Sequence, residues 1–109
     1  KIIHCDEFQT EGIDKIVDRI RNRVGDNALY LSIDIDVLDP AFAPGTGTPE
    51  IAGMTTREIV NVIRGLSGLN LVSADVVEVA PAYDHAEVTS LAAATIVYEL
   101  TNLFAKVKR

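Results

Sequence analysis

The amino-acid sequence predicts an α/β domain in which parallel strands alternate with helices in the order β-α-β-α-β-α. Three observations carry that expectation: short apolar runs of strand length, stripes of helical period between them, and a stop signal after each. Strands joined in this way through helices lie parallel, with right-handed crossovers. Three strands that are apolar on both faces would leave two sticky edges if they stood alone, so a slice of a larger sheet is expected.

Taken in order, Lys1 to His4 read as the tail of a first strand. Ile13, Ile16, Val17, Ile20 and Val24 then form one helical stripe, and Gly25 follows as a stop. Ala28 to Ile35 is a short run with aromatic and β-branched members, the signature of a strand covered on both faces. Thr55 and Glu58 match a capping box, and Met54 with Ile59 occupy the staple positions. The helix that starts there carries the stripe Ile59, Val62, Ile63 and Leu66, with Gly68 past its end. LNLVSADVVEVAP, Leu69 to Pro81, reads as another buried strand stopped by its proline. Asp84 and Glu87 repeat the cap pattern before a last helix, Val88 to Ala105, whose LAAATIV segment is apolar around most of its circumference. Such a helix is either well buried or pressed against another subunit.

Composition narrows the function. The 109 residues suffice for one domain, which buries roughly 65% of the surface its unfolded chain exposes. With 48% hydrophobic residues the chain is too apolar to be disordered. No uninterrupted apolar run approaches the ~18 residues of a membrane span. A net charge of -6 repels nucleic acid and anionic membranes, so neither is expected as a partner. Lys106, Lys108 and Arg109 complement the C-terminal dipole of the last helix in this reading. The lone Cys5 excludes an internal disulfide and is expected to be a small packing residue. A chain that opens on Lys1, without a charged-then-apolar leader, is expected to lack an upstream piece.

The chemistry concentrates in SIDIDVLDPAFAPGTGTPE, Ser32 to Glu50. In open α/β sheets ligands bind beyond the carboxyl ends of the strands, which makes polar residues there candidates for a site. Period-two alternation would point Asp34 and Asp36 the same way, with Cα atoms roughly 7 Å apart, within reach of a shared divalent cation or a pair of them. The alternative is that they cap the following loop. Oxygen ligands of this kind suit Mg²⁺ or Mn²⁺ without choosing between them. Asp39, before Pro40, is expected to shape the turn. The loop that follows is stiffened by Pro40, Pro44 and Pro49 and lacks the Lys-Ser/Thr of a phosphate-binding loop. It is either a site wall or an ordinary connection. On the later strand, Glu78 lies so deep that it needs a cation. A metal, a buried salt bridge and a cationic substrate all remain open. Asp75, of opposite parity, is expected to be a structural hydrogen-bond acceptor.

At these residues a family resemblance enters. SIDIDVLDPAFAPGTGTPEIAGMTTRE, Ser32 to Glu58, together with VVEVAPAYDHAEVTSLAAA, Val76 to Ala94, closely resembles the C-terminal part of the arginase/agmatinase ureohydrolases. The APAYDHAEVT wording looks most like the agmatinase branch. The resemblance implies a three-layer α/β/α fold around a mostly parallel sheet, with this chain as the C-terminal part of a single domain. It also implies a centre of two manganese ions. Carried over by position, Asp34 would bridge both ions, Asp36 would bind one, and Glu78 would hold the substrate guanidinium. The implied reaction hydrolyses a guanidino compound, agmatine above all, to urea and an amine. A guanidinobutyrase or arginase is the alternative within the class, and a noncatalytic scaffold subunit the alternative outside it. The family's remaining metal ligands, a histidine and an Asp-x-His-x-Asp segment, and its proton-shuttling histidine have no counterpart here. His4 and His85 match no ligand position, His4 reading as a strand-end residue and His85 as part of the loop before the last helix. The chain alone is therefore expected to be inert, and the parent to be a homo-oligomer.

Overall fold

A computed structural model describes residues 1–107 of the chain; Lys108 and Arg109, two of the three basic tail residues, lie outside them. The elements are α1 (Cys5–Glu11), α2 (Ile13–Val24), β1 (Leu29–Asp34), α3 (Thr56–Gly65), β2 (Leu71–Val77) and α4 (Val88–Ala105). β1 and β2 pair in parallel, Ser32 beside Asp75 and Asp34 beside Val77. An α/β crossover through α3 joins them, as expected of parallel neighbours.

The first strand is not there. Lys1 to His4 form no strand, and the chain instead opens with α1, so the order is α-α-β-α-β-α. The reason is local. The backbone N–H of His4 donates to Glu7 Oε2 at 2.5 Å, and Asp6 and Glu7 place negative charge in the first turn, where the helix dipole favours it. Gly12, at φ 83°, then separates α1 from α2.

α2 and α3 begin and end where their patterns say. Gly25 stops α2, its N–H bonding to the Arg21 carbonyl at 2.8 Å. Arg21 in turn donates to the carbonyls of Gly65 and Ser67 at the end of α3, tying the two helices together. Thr55 and Glu58 close a reciprocal capping box, and Met54 and Ile59 are both buried.

Ile33, Ile35, Leu38, Ile59, Ile63, Ile96 and Leu100 form the core, with Leu31, Ala74 and Val76 packed against it from the sheet. The opposite sheet face is another matter. By register and alternation it carries Tyr30, Ser32 and Asp34 from β1 beside Ser73, Asp75 and Val77 from β2. This polar face replaces the expected apolar one, and Tyr30 on it is 56% exposed. α4 is long and apolar enough, by length and composition, to cross a membrane. Its Ile96, Leu100 and Leu103 nevertheless pack into the core, and its buried Glu99 is held by Arg64, as in a helix covering a sheet. Leu91, Val97 and Tyr98 lie on its exposed side.

Candidate active site

β1 ends at Asp34, and its last side chain turns the backbone. Asp34 Oδ1 accepts the N–H of Asp36 at 3.1 Å, and Ile35–Val37 wind into a short 3-10 helix. Asp36 is therefore not a continuation of the strand, and period-two alternation does not set its direction. The capping alternative is realised for Asp34, without removing it from the site. Both carboxylates are half-buried at the carboxyl end of β1. Asp36 Oδ2 accepts the Thr48 hydroxyl at 3.0 Å. Among the described residues the second oxygen of each aspartate makes no hydrogen bond.

Asp39 shapes the turn as expected, accepting the N–H groups of Ala41 at 2.9 Å and Ala52 at 3.0 Å. The two ends of the loop meet where Leu38 bridges Met54. Gly53 permits that approach, since a Cβ there would come within 2.6 Å of the Asp39 nitrogen.

Glu78 directly follows Val77, the partner of Asp34, just past the carboxyl end of the adjacent parallel strand. Its setting corrects the expectation of depth. The strand ends at Val77, and Glu78 is exposed and makes no salt bridge among the described residues. Its φ of 66° places it in the left-handed region, a conformation that costs a non-glycine residue about 1–3 kcal/mol and that collects at functional sites.

Asp75 is the structural acceptor expected of it. It takes hydrogen bonds from the Tyr30 hydroxyl and, at 2.7 Å, from Ser32 Oγ. The Tyr30 and Ser32 bonds hold its pKa below the usual carboxylate range, while the same contact raises that of Tyr30. His4 sits at the N-cap of α1 rather than at a strand end, and His85 is exposed in the turn before α4. Cys5 is exposed, not packed, with Sγ 3.5 Å from the Ala52 carbonyl.

The cap of α4 differs from its sequence pattern. Ala86 and Glu87 both take positive φ, and Glu87 makes no side-chain cap bond. Asp84 supplies the cap from further back, accepting the N–H of His85 at 2.9 Å and those of Thr89 and Ser90 at 3.0 Å, and the Ser90 hydroxyl at 3.1 Å. Burial opposes ionisation of Asp84, but these bonds outweigh it and hold the carboxyl far below the usual range. The Thr48 hydroxyl was missed in the sequence, whereas Asp84 was singled out there as a cap without the bend that sets it back from the helix. Thr48 had a signal, its place in the Pro-Gly loop facing a strand end.

The donor set suits a hard divalent cation, because it consists of carboxylate oxygens at a strand terminus. Among the described residues no three His, Cys, Asp or Glu side chains gather into a group that could hold a metal ion.

A parallel α/β layer with carboxylates beyond its strand ends defines an α/β protein of the kind that binds ligands above the sheet. Residues 1–102 match the arginase family, and the chain belongs to that family. It is 63% identical over 106 residues to a Schizosaccharomyces pombe protein provisionally named agmatinase 1, covering 97% of this chain and 27% of that one. It is 51% identical over 108 residues to the agmatinase of Photorhabdus laumondii, covering 99% of this chain and 35% of that one. The solved proclavaminate amidino hydrolase of Streptomyces clavuligerus superposes with a TM-score of 0.96 at 44% identity, over 99% of this chain and 36% of that one. The fold is thus arginase-like, and the chain spans 27% and 35% of the length of these two curated relatives.

Proposed function

We propose that the chain is the C-terminal part of a manganese-dependent ureohydrolase whose intact form hydrolyses agmatine to putrescine and urea. One observation supports the reading: a chain 51% identical to an agmatinase carries Asp34 and Asp36 at the carboxyl end of one parallel strand and Glu78 just past the end of its neighbour.

Asp34 and Asp36 would hold manganese through their oxygens. When bound, the metal supplies the Lewis acidity that brings the pKa of water toward neutrality. Thr48 fixes the Asp36 carboxylate through its hydroxyl, the kind of outer contact that orients a ligand. Glu78 accepts charge-assisted hydrogen bonds from the planar guanidinium and orients its carbon, which resonance otherwise makes a poor electrophile. Its exposure suits this role, since an occupied salt bridge would have to break before substrate could enter.

A relative that differs in the far end of the substrate shares this fold at lower identity. The Bacillus subtilis arginase superposes with a TM-score of 0.86 at 33% identity. Arginine and guanidinobutyrate therefore belong in the same assay. The intact protein with manganese is expected to release urea from agmatine, and the 109-residue chain alone is expected to release none. Absence of urea from all three substrates with the intact protein would overturn the proposal.

A further inference from the structure

We infer that Asp84 is a positioning residue for the site, a clamp that joins the loop after β1 to the segment after β2. The inference rests on the ureohydrolase reading for its consequence in turnover, though the clamp itself is a matter of geometry.

A helix cap needs only the first turn of its helix. Asp84 does more. Its carboxylate accepts the N–H of Thr89, and the Thr89 hydroxyl, wholly buried, accepts the N–H of Gly45 at 2.8 Å. From the other side the N–H of Ala80 donates to the Gly45 carbonyl at 2.8 Å. Gly45 is thus held from both sides by the segment that begins at Glu78.

The packing is as close as the hydrogen bonding. A Cβ on Gly45 would lie 2.8 Å from Asp84 Cβ and 2.9 Å from its Cα, so only glycine allows the two backbones to meet. Three residues later, Thr48 donates to Asp36. A continuous path therefore runs from the Asp84 carboxylate through Thr89 and Gly45 to the hydroxyl that orients Asp36. The same carboxylate takes the N–H groups of the turn whose Ala86 and Glu87 are at positive φ. It offsets local strain and fixes both walls of the site with one group.

Two substitutions in the intact protein test this, with hydrogen exchange, manganese affinity and turnover as readouts. Asp84→Asn removes the charge that receives the N–H groups. Thr89→Val removes only the hydroxyl that reaches Gly45, and Thr89→Ser restores it. The clamp predicts faster amide exchange over Gly45 to Thr48 in Asp84→Asn and Thr89→Val. It also predicts a loss of about ten- to a hundredfold in manganese affinity or kcat, the range for outer contacts of a metal ligand, with recovery in Thr89→Ser. Glu99→Gln, which disturbs the Arg64 pair elsewhere on α4, serves as the matched control for lost stability. Unchanged exchange over Gly45 to Thr48, or the same losses in Glu99→Gln at equal Tm, would reduce Asp84 to an ordinary cap. If Asp84→Asn does not fold, the Thr89 pair decides alone. If the unmodified protein releases no urea, the proposed function fails while the exchange result still judges the clamp.

Discussion

Asp36 uses one carboxylate oxygen for the Thr48 hydroxyl, and Asp36→Asn keeps that shape while removing the charge a cation needs. Purified intact Asp36→Asn is expected to carry less manganese, with activity partly recovering in excess metal; unchanged metal content by atomic absorption would remove Asp36 from the ligands. Glu78 allows a sharper test, because its left-handed backbone is unfavourable for any side chain but free for glycine. Glu78→Gly is expected to raise stability by about 1 kcal/mol while abolishing urea release. A lower Tm, or activity retained, would contradict the role assigned to that strain. The sequence left two uses open for the aspartates, and the structure shows that Asp34 does cap the turn after β1. The exposure of Glu78 was not legible, since it depends on where β2 lets go of its partner, at Val77 rather than at the Ala80 to which the apolar letters run.

Among the elements, α3 was the most readable, because a capping box and a staple are local devices that need no tertiary partner. Thr55→Ala is expected to cost about 1 kcal/mol in denaturant unfolding, because the Glu58 N–H loses its hydroxyl acceptor while the backbone N–H at position 55 keeps the Glu58 carboxylate. A cost within error of zero would mean that packing of Ile59 and Ile63 alone sets the helix start. α1 was missed because Lys1 to His4 look apolar enough for a strand, whereas the competing helix signal lies in Asp6 and Glu7. α4 shows a subtler failure. Asp84 and Glu87 have capping-box spacing, yet the left-handed turn at Ala86 and Glu87 delays the helix to Val88, so Asp84 caps it from a distance and Glu87 makes no reciprocal bond. Spacing in sequence names the capping residue here, but it places the helix start correctly only when the intervening backbone is regular.

Across the whole molecule, charge is used to tie layers together. Arg64 grips Glu99 through two hydrogen bonds of 3.0 and 2.6 Å, joining α3 to α4, and that contact lowers the Glu99 pKa. Asp75 and Asp84 are lowered as well. A carboxylate with a depressed folded pKa stabilises fully above its unfolded value, near 4, and that contribution is lost as pH falls through the folded value. Unfolding free energy of the intact protein is therefore expected to decline below about pH 4. Glu99→Gln should flatten that decline, and an unaltered slope would show that the pair contributes nothing to it. The class of fold was legible because period-two and helical patterns report the buried faces directly. The polar sheet face was not, because Ser32, Asp34, Ser73 and Asp75 sit among apolar neighbours in sequence and separate from them only when alternation is joined to register.

The neck at Leu38 and Met54 gives the long loop a kind of independence. The excursion from Asp39 to Gly53 leaves and re-enters the fold at one point, with Asp39 donating to the Met54 carbonyl and Met54 to that of Val37. Lengthening such a loop costs little, since closure entropy grows only logarithmically with its size. Gly45 and Thr48 are moored to the fold, but Glu50 and Ile51 are exposed. The loop thus behaves as an appendage hung from one point, moored on its inner stretch and open to solvent on its outer one.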